Sequence, residues 1–486
     1  MKKSTIFLLC ALAAGNAFAD DYATDGTGKL YTLESLSEIS ESGVTKDGKV
    51  YTMANNVTIT AGDSFSIEPG ATIKMGDAVE FRINGTADML STASEPVTVT
   101  RNLETDAPKG ITLNSDTGVT SFSYFNFEYA SLRNLSGTGL DLSDCTFRYA
   151  NGKLASTGAL TLGMSGACFT VSHCTFEYNE VPAIGGSVLA DCGLIIDGCT
   201  FIDNNTANTN KPQVNITAGG ENSIIISNST FTGAQRDMVG GLAIANWTNL
   251  AGSNTVLIDN NTFENHRYGV TLYGFVDATL LENKIINNSY ASSAMAGGAG
   301  VSIYDYGTKP KVVMTGNTIS GNLWGVTVIG GESVNFGKTD DPNAADYNEG
   351  HNVFSNNGNG GVLYDLYNNS TVTVYAQGNK WGVDEQTAEK IETVIYHKYD
   401  NSALGEVIYT PAWDGEGSVA KIANDDIATY LNGVVKAEGA VINVYTTSGK
   451  LVATAHDEAN LLTLARGIYV VKATSAQGST VLKCIR

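Results

Sequence analysis

Seven aromatic side chains in the second half of the sequence have the chemistry to contact sugars. They are Trp247, Tyr273, Phe275, Tyr304, Tyr306, Tyr364 and Tyr367, and each follows a short pair of Gly with Val or Leu. Aromatic rings stack on sugar rings, and neighbouring carboxylates accept hydrogen bonds from sugar hydroxyls. If these residues recur at equivalent positions, they share one lateral face of the protein. The alternative is that tyrosine simply decorates solvent-facing strands, where its β-propensity is high.

Two sets of residues are candidates for catalysis. Asp305 and Asp365 lie about two repeats apart in the sequence. At about 4.8 Å per stacked repeat, their separation is about 9–10 Å, which borders the roughly 6.5–9.5 Å between the acids of inverting glycosidases. Glu264, His266 and Arg267 are the second set, because a lyase needs a base and a cation that neutralises a uronate carboxylate. Plain solvated turn residues are the alternative interpretation of that set.

Metal and cofactor motifs are few. Five histidines show no convergent metal spacing, and no glycine-rich phosphate loop or nucleophile elbow occurs. The sequence therefore predicts no cofactor. Calcium stays open, because Asp340, Asp341 and Asp346 in the excursion 331–350 could coordinate a cation, although loop solubility explains them equally well. This excursion and the one at 287–298 are where a cleft wall could rise.

The middle of the chain is a repeat of a short fragment that ends on a large apolar anchor. The anchors are Phe127, Phe147, Phe176, Phe201, Phe231, Phe263, Ile285, Ile319, Phe354 and Trp381. Most anchors are preceded, two residues earlier, by Cys in the early copies or Asn in the later ones. Further apolar residues lie five and seven residues before most anchors. Apolar residues two apart indicate strands with one buried face. Units this short cannot bury that face alone, so they must stack on one another.

These repeats resemble the right-handed parallel β-helix family over residues 57–413. The resemblance includes a possible first-turn segment at 67–73 and a closing segment that begins at Asn379. It implies an all-β solenoid. Stacked Asn side chains can hydrogen-bond from turn to turn at a bend. Because open coil ends expose unpaired backbone, we expect an N-terminal cap at 20–56 and a helical C-terminal cap at 384–396. A β-propeller is the alternative, but its blades need about 40 residues. Pectate-lyase-type polysaccharide lyases share the coil, yet their calcium-binding Asp clusters joined to an Arg or Lys base are missing.

The cysteines of the coil allow three interpretations. Cys145, Cys174 and Cys199 occupy the column that later becomes Asn. Small buried packing is the favoured interpretation. A Cys168–Cys192 disulfide is the second, since export permits disulfides. A metal site of three stacked thiols is the third.

The two ends of the chain carry export signals. Residues 1–19 match a secretory signal peptide, with Lys2 and Lys3 before an apolar run and small residues near the cleavage point. After a linker at 414–424, residues 425–486 predict a small β-sandwich. Val444 to Val452 and Leu464 to Lys472 are similar to the type IX secretion C-terminal sorting domain of Bacteroidota, which implies the type IX machinery as a partner. A plain Ig-like accessory domain is the alternative.

The net charge of the chain restricts the classes of molecule that it can bind. The net charge of −21 argues against nucleic acid and anionic membranes, and no later apolar run is long enough to span a bilayer. The prediction is a secreted or surface-attached protein that contacts extracellular polysaccharide or host glycan through its aromatic face. The sequence favours binding without catalysis. A polysaccharide lyase or glycosidase on the same scaffold and a structural adhesin spacer are the alternatives.

Overall fold

The structure is a computed structural model, and it describes the chain in segments. These are residues 21–114, 120–135, 139–151, 157–163, 169–189, 193–219, 223–246, 254–292, 297–305, 310–413, 428–431, 434–446, 451–464, 468–475 and 478–485. The predicted signal peptide and the linker at 414–424 lie outside the described residues, as do Cys168, Cys192, Trp247 and Tyr306. The chain divides into two compact units, one ending at Trp413 and the other beginning at Asp414.

Short strands make up nearly all of the regular structure. In the first unit they are β1 (Asp21–Ala23), β2 (Leu30–Tyr31), β3 (Val44–Asp47), β4 (Val50–Met53), β5 (Asn56–Ile59), β6 (Ser64–Ser66), β7 (Thr72–Met75), β8 (Glu80–Ile83), β9 (Thr86–Leu90), β10 (Val97–Arg101), β11 (Gly110–Leu113), β12 (Thr120–Ser123), β13 (Phe125–Glu128), β14 (Ser131–Asn134), β15 (Leu140–Ser143), β16 (Thr146–Arg148), β17 (Leu160–Leu162), β18 (Phe169–Ser172), β19 (Thr175–Glu177), β20 (Ile184–Leu189), β21 (Leu194–Asp197), β22 (Thr200–Ile202), β23 (Val214–Gly219), β24 (Ser223–Ser227), β25 (Thr230–Thr232), β26 (Leu242–Asn246), β27 (Asn254–Asp259), β28 (Thr262–Glu264), β29 (Val270–Gly274), β30 (Val276–Leu281), β31 (Lys284–Ile286), β32 (Ala299–Tyr304), β33 (Lys311–Thr315), β34 (Thr318–Ser320), β35 (Trp324–Ile329), β36 (Ser333–Gly337), β37 (Val353–Ser355), β38 (Gly358–Asn359), β39 (Val362–Leu363), β40 (Leu366–Asn368), β41 (Val374–Ala376), β42 (Ile395–Tyr396) and β43 (Val407–Ile408). Two short helices, α1 (Leu33–Ser37) and α2 (Ala388–Glu392), lie near the two ends of the unit.

The strands of the first unit form three long, mostly parallel sheets, because each turn of the chain adds one strand to each sheet. Sheet 1 takes β1, β5, β8, β11, β14, β17, β20, β23, β26, β29, β32, β35, β40 and β42 in that order. Sheet 2 takes β2, β6, β9, β12, β15, β18, β21, β24, β27, β30, β33, β36, β41 and β43, and sheet 3 takes β3, β4, β7, β10, β13, β16, β19, β22, β25, β28, β31, β34 and β37. This confirms the predicted parallel coil and excludes a propeller, whose strands form separate blades.

The anchor residues form the predicted internal column. Phe147 pairs in register with Phe176, and the same register continues through Phe201, Phe231 and Phe263. Neighbouring rings stack at centroid distances of 4.4–5.2 Å, and all of these side chains are fully buried. Burial of a large apolar side chain stabilises the fold by roughly 1.5–3 kcal/mol, so this column and the apolar residues of sheets 1 and 2 account for the dry interior.

Asparagine side chains form the predicted ladder at the bend between sheets 2 and 3. The Nδ2 of Asn261 donates to the Oδ1 of Asn283, and the same bond repeats through Asn317, Asn352 and Asn379 at 2.8–3.1 Å. Each Oδ1 also accepts the backbone N–H of the preceding member. Each side chain therefore satisfies buried polar groups of two consecutive turns, which fixes their register.

The early cysteines occupy this ladder position as small buried side chains. Cys145, Cys174 and Cys199 are free and buried, and their thiols lie within hydrogen-bond distance of nearby carbonyl oxygens. Burial raises the pKa of Cys174 well above its ordinary value, so its thiol stays protonated. This supports the packing interpretation, whereas a metal site would need thiolates.

A second buried polar chain, which the sequence did not predict, runs along the bend between sheets 3 and 1. We call it the inner polar chain. Its members are Asn179, Asn204, Gln213, His266, Asn288, Asn322, Asn357 and Asp365. Successive side chains lie 2.6–3.2 Å apart along its whole length. Every member is at most 1% exposed, so an unmatched group anywhere in the chain would be costly.

The ends of the coil differ from the predicted caps. Strands β1 and β2 already pair with β5 and β6, so the sheets begin inside the segment 20–56 that was predicted as a cap. The C-terminal helix spans only Ala388–Glu392, shorter than the predicted 384–396, and Ile395–Tyr396 is a strand of sheet 1. Both differences arise because a chain end that lies over an open coil can pair with its exposed backbone edge.

The second unit is a small antiparallel sheet. Its described strands are β44 (Thr429–Leu431), β45 (Val434–Thr446), β46 (Leu451–Asn460), β47 (Ile468–Ser475) and β48 (Gly478–Ile485). The predicted strands around Val441 to Tyr445 and Ile468 to Val471 lie within β45 and β47. Their buried faces form a separate core that contains Cys484.

The asparagine ladder gives a direct stability prediction. Replacing Asn317 with alanine removes the acceptor of both the backbone N–H and one side-chain N–H of Asn283, and it removes the side-chain donor to the Oδ1 of Asn352. Because buried polar groups then lose their partners, we expect the free energy of unfolding to fall by about 2–4 kcal/mol. Chemical denaturation followed by tryptophan fluorescence measures the coil, since all four tryptophans precede residue 414. The exposed Asn343→Ala is the control and should change stability by less than about 0.5 kcal/mol; equal effects would contradict the ladder's role.

Candidate functional site

Two of the predicted aromatic residues form a pair on the outer face of sheet 1. Tyr273 of β29 and Tyr304 of β32 lie in register, with ring centroids 6.4 Å apart. Residues alternate along β29, so Leu272 points inward and Tyr273 is half-buried on the outside. The sequence therefore predicted correctly that these two tyrosines share a lateral face.

A larger cluster lies further along the same sheet, and we call it the aromatic patch. Trp324 stacks on Tyr364 with centroids 4.6 Å apart and meets Tyr367 edge-on at 4.8 Å. Tyr367 in turn stacks on Tyr396 at 4.6 Å and 6°. The strand register places Tyr367 beside Thr327 on one side and Tyr396 on the other. The four rings are half-buried, so they hold one another in place and remain accessible.

Sequence analysis missed two members of the aromatic patch. Trp324 directly precedes the pair Gly325-Val326, so its position in the repeat was visible, but only residues after such pairs were considered. Tyr396 was assigned to the C-terminal cap, whereas it lies in β42 next to β40. Of the remaining predicted residues, Phe275 lies half-buried in the turn between β29 and β30, and Trp247 and Tyr306 are outside the described residues.

A small hairpin precedes the aromatic patch in the chain. Strands β38 and β39 pair across Gly360 and Gly361, whose φ angles of 59° and 90° favour glycine. Val362 and Leu363 of this hairpin are 49% and 45% exposed, and Tyr364 follows directly. The pair Gly361-Val362, which matches the recurring Gly-Val signature, therefore lies in this hairpin and not in sheet 1. Leu366, rather than Val362, pairs with Val326.

Asp305 and Asp365 do not form the predicted acid pair. Leu366 pairs with Val326, and Val326 pairs with Val301, so Asp365 aligns with Gly300. Asp305 lies five residues further along the strand, which adds about 16 Å at about 3.3 Å per residue. Their separation therefore exceeds that of glycosidase acids. The sequence-based estimate counted turns but did not include displacement along the strands.

Asp365 ends the inner polar chain and does not face solvent. Its carboxylate accepts from the Nδ2 of Asn357 at 2.9 Å and from the backbone N–H of Gly382 at 2.7 Å. Burial raises its pKa to about 6, although these two hydrogen bonds act in the opposite direction. A carboxylate held in this way stabilises the closing turn and has no access to a substrate.

Glu264, His266 and Arg267 are neighbours in sequence but point to different places. Glu264 accepts a hydrogen bond from the hydroxyl of Thr232 at 3.1 Å, and Arg267 donates to the side chain of Asn210. His266 is buried in the inner polar chain, so the prediction that all three are solvated turn residues is wrong for it. The set does not assemble a base beside a carboxylate-neutralising cation.

The neighbours of His266 determine its protonation. The Oε1 of Gln213 accepts from Asn204, so its Nε2 donates to the Nε2 of His266 at 2.7 Å. The proton of a neutral His266 then lies on Nδ1 and is donated to the Oδ1 of Asn288 at 3.2 Å. Burial lowers the pKa of His266 to about 4, so the ring is neutral at physiological pH and serves as a structural link.

The acidic groups that could hold a cation have other partners. Asp340 accepts from Gln377, Asp341 from the backbone of Asn343, and Asp346 from Lys338. A second group, Glu392, His397 and Asp400, is compact enough to hold an ion. In that group Nδ1 of His397 accepts from the Val407 N–H, so Nε2 carries the proton and donates to Glu392. Both sets are thus explained as structural contacts.

One family model agrees with the coil. The family described as right handed beta helix region matches residues 201–340. Among solved structures, the periplasmic alginate epimerase AlgG is 11% identical with a TM-score of 0.40, over 78% of this chain and 83% of that one. An alginate lyase from Paenibacillus sp. str. FPU-7 is 12% identical with a TM-score of 0.25, over 79% and 98%. At these values nothing about activity follows.

Two further searches gave limited results. No curated protein matches the chain. Among the residues that the structure describes, no helix is long and apolar enough to cross a membrane.

The buried Asp365 predicts an unusual pH dependence of stability. A carboxyl whose pKa rises to about 6 on folding stabilises the fold most below the unfolded pKa, near 4, and loses that contribution as the pH rises through 6. Compared with Asp365→Asn, the wild type should therefore lose on the order of 2–3 kcal/mol between pH 4 and pH 7. Denaturation at several pH values measures this difference, in which the titration of His266 cancels.

The readout is how the difference in the free energy of unfolding between the wild type and Asp365→Asn changes with pH. The size of that difference at a single pH is not informative, because an asparagine at 365 leaves one of the two donors unmatched at every pH. Asp341→Asn, at an exposed position, is the control and should run parallel to the wild type. A wild-type minus D365N difference that stays constant from pH 4 to pH 7 would contradict the buried carboxyl.

Proposed function

We propose that this protein is exported and binds extracellular polysaccharide or host glycan through the outer face of sheet 1, without catalysis. The observation that carries the proposal is the aromatic patch, in which Trp324 and three tyrosines are packed against one another yet remain accessible. Side chains fixed in this way lose little conformational freedom when a ligand binds. Their rings and phenolic hydroxyls offer both stacking and hydrogen bonding.

The extent of the aromatic face suits a chain polymer. From Tyr273 on β29 to Tyr396 on β42, the tyrosines cover four strand spacings, which is about 19 Å along the sheet. Tyr304 and Tyr367 lie two strands and two residues apart, which is about 12 Å between their positions. Separated aromatic contacts along one line favour a ligand with repeated rings over a small isolated molecule.

The positions of the acids favour binding over cleavage. Asp365 and His266 are buried in the inner polar chain, and Asp305 lies about five residues along the strand from Asp365. A glycosidase needs two carboxyl groups on either side of one bond, and a lyase needs a base near a neutralising cation. The candidate residues provide neither arrangement.

Export belongs to the same proposal. The signal-peptide pattern at 1–19 and the similarity of the second unit to type IX sorting domains support secretion or attachment at the cell surface. Deleting residues 425–486 should then retain the protein inside the cell, measured by immunoblotting of medium, surface and periplasmic fractions. Normal surface delivery of the truncated protein would contradict the sorting role.

The binding proposal is tested with the full chain against a panel of soluble and insoluble polysaccharides. Trp324→Ala removes the ring that contacts both Tyr364 and Tyr367, so we expect affinity for the bound polymer to fall at least about tenfold, which corresponds to about 1.4 kcal/mol. Tyr347→Ala, a change at an exposed tyrosine in the excursion 331–350, should leave affinity unchanged.

Reducing-sugar and unsaturated-product assays on the same polymers separate the alternatives. Binding without product supports the proposal. Product formed by the wild type would replace it with the lyase or glycosidase alternative, and the absence of both binding and product would leave the structural spacer.

A further inference from the structure

Three tyrosines form a second, separate row on the surface of the coil. Tyr129, Tyr149 and Tyr178 follow the consecutive sheet 3 strands β13, β16 and β19. Their rings stack at centroid distances of 5.3 and 6.2 Å, and the guanidinium of Arg101 lies 3.7 Å from the centroid of Tyr129. We call this row the tyrosine ladder. In the next turn the column continues with Asp203, so the stacking ends at Tyr178.

The tyrosine ladder has a backbone conformation that is costly for tyrosine. The φ angles of the three residues are 59°, 60° and 53°, in the left-handed region that bulky residues rarely adopt. Later turns place residues suited to this region at the same position, namely Asn265, Asn287, Gly321 and Asn356. Each tyrosine therefore stores strain on the order of 1 kcal/mol or more.

Burial does not explain why tyrosine is present there. Tyr149 and Tyr178 are 38% and 43% exposed, and they belong to neither hydrophobic core. Asn at these positions would relieve the backbone strain, at the cost of the ring stacking along the row. Strain that is kept on an accessible surface indicates a role in binding.

The tyrosine ladder forms one side of a groove of about 570 Å³. Its other lining residues include Arg101, Glu104, Asp106 and Glu180. The volume lies in the range of small-molecule sites. Three carboxylates face one guanidinium, and that guanidinium already lies over the ring of Tyr129, so the groove carries excess negative charge. Phenolic hydroxyls and carboxylates together suit sugar hydroxyls, whereas an acidic sugar would be repelled.

The groove is distinct from the aromatic patch. The tyrosine ladder ends after β19, and Trp324 of the aromatic patch follows β34. These two strands of sheet 3 are five strand spacings apart, which is about 24 Å along the coil. The tyrosine ladder also follows sheet 3, whereas the aromatic patch lies on sheet 1. One sugar ring cannot contact both.

We infer that the tyrosine ladder is a second saccharide-binding site, which takes neutral or amino-bearing sugar chains and disfavours uronic-acid polymers. It is independent of the aromatic patch, so either site can fail without the other. The stacked rings and their hydroxyls, repeated at each turn, hold consecutive sugars, and the acidic rim selects against carboxylate-bearing ones.

The test uses a double variant that should keep the fold of the wild type. In Tyr149→Asn with Tyr178→Asn, both positions carry a residue type that the later turns use at this left-handed position, and a cooperative denaturation transition confirms that the coil is folded before binding is measured. Calorimetric titration with cello-, xylo- and chito-oligosaccharides should show at least a tenfold loss of affinity at this site. Tyr347→Asn is the matched control and should bind as the wild type does.

Two comparisons make the result decisive. Glu104→Gln with Glu180→Gln should increase binding of polygalacturonate, because it removes two of the three carboxylates. The inference is overturned if the double asparagine variant binds every tested sugar normally, if polygalacturonate is the preferred ligand of the wild-type groove, or if no saccharide binds. If Trp324→Ala loses binding while the double asparagine variant binds normally, this inference is overturned and the proposed function stands.

Discussion

The structure depends on side chains at equivalent positions of consecutive turns lying directly over one another. Backbone hydrogen bonds between parallel strands permit this arrangement but do not by themselves select one register. The Asn261 to Asn379 ladder does, because each Oδ1 accepts from both the side chain and the backbone of its neighbour one turn away. A slip of one residue would break both bonds. The anchor column and the surface rows of aromatic residues all follow from this register.

The side-chain hydrogen bonds of the inner polar chain all point in one direction along the coil. Its amides donate toward the C-terminal end, and it ends at Asp365, a carboxylate that only accepts when ionised. His266 fits into this series of hydrogen bonds only as a neutral ring with its proton on Nδ1. Polar side chains that would be costly alone are thus matched within one buried network. This explains how a coil with so many buried amides remains stable, and why several candidate catalytic residues are structural.

The sequence predicted what repeats and missed what depends on insertions. The anchors, the Asn column and the buried cysteines keep the same spacing to one another within each repeat, so their positions followed from that local pattern although the repeats differ in length. The prediction for Asp305 and Asp365 was wrong because the hairpin of β38 and β39 imitates the start of a strand at Gly361 and shifts the later register. The burial of His266 depends on Gln213, which is 53 residues earlier. The tyrosine ladder was visible as a Tyr two residues after three successive anchors, but its exposure and backbone strain appear only in the structure.

The register between turns can be measured directly with engineered disulfides. Lys284 and Thr318 are opposed on β31 and β34, so their Cα atoms lie about 5 Å apart, within the range a disulfide requires. Ser320 is two residues further along, which places it about 8 Å from Lys284 and beyond that range. Mild oxidation should close the bridge in K284C/T318C and leave K284C/S320C open. Closure of the offset pair, or equal closure of both pairs, would contradict the overlay of consecutive turns.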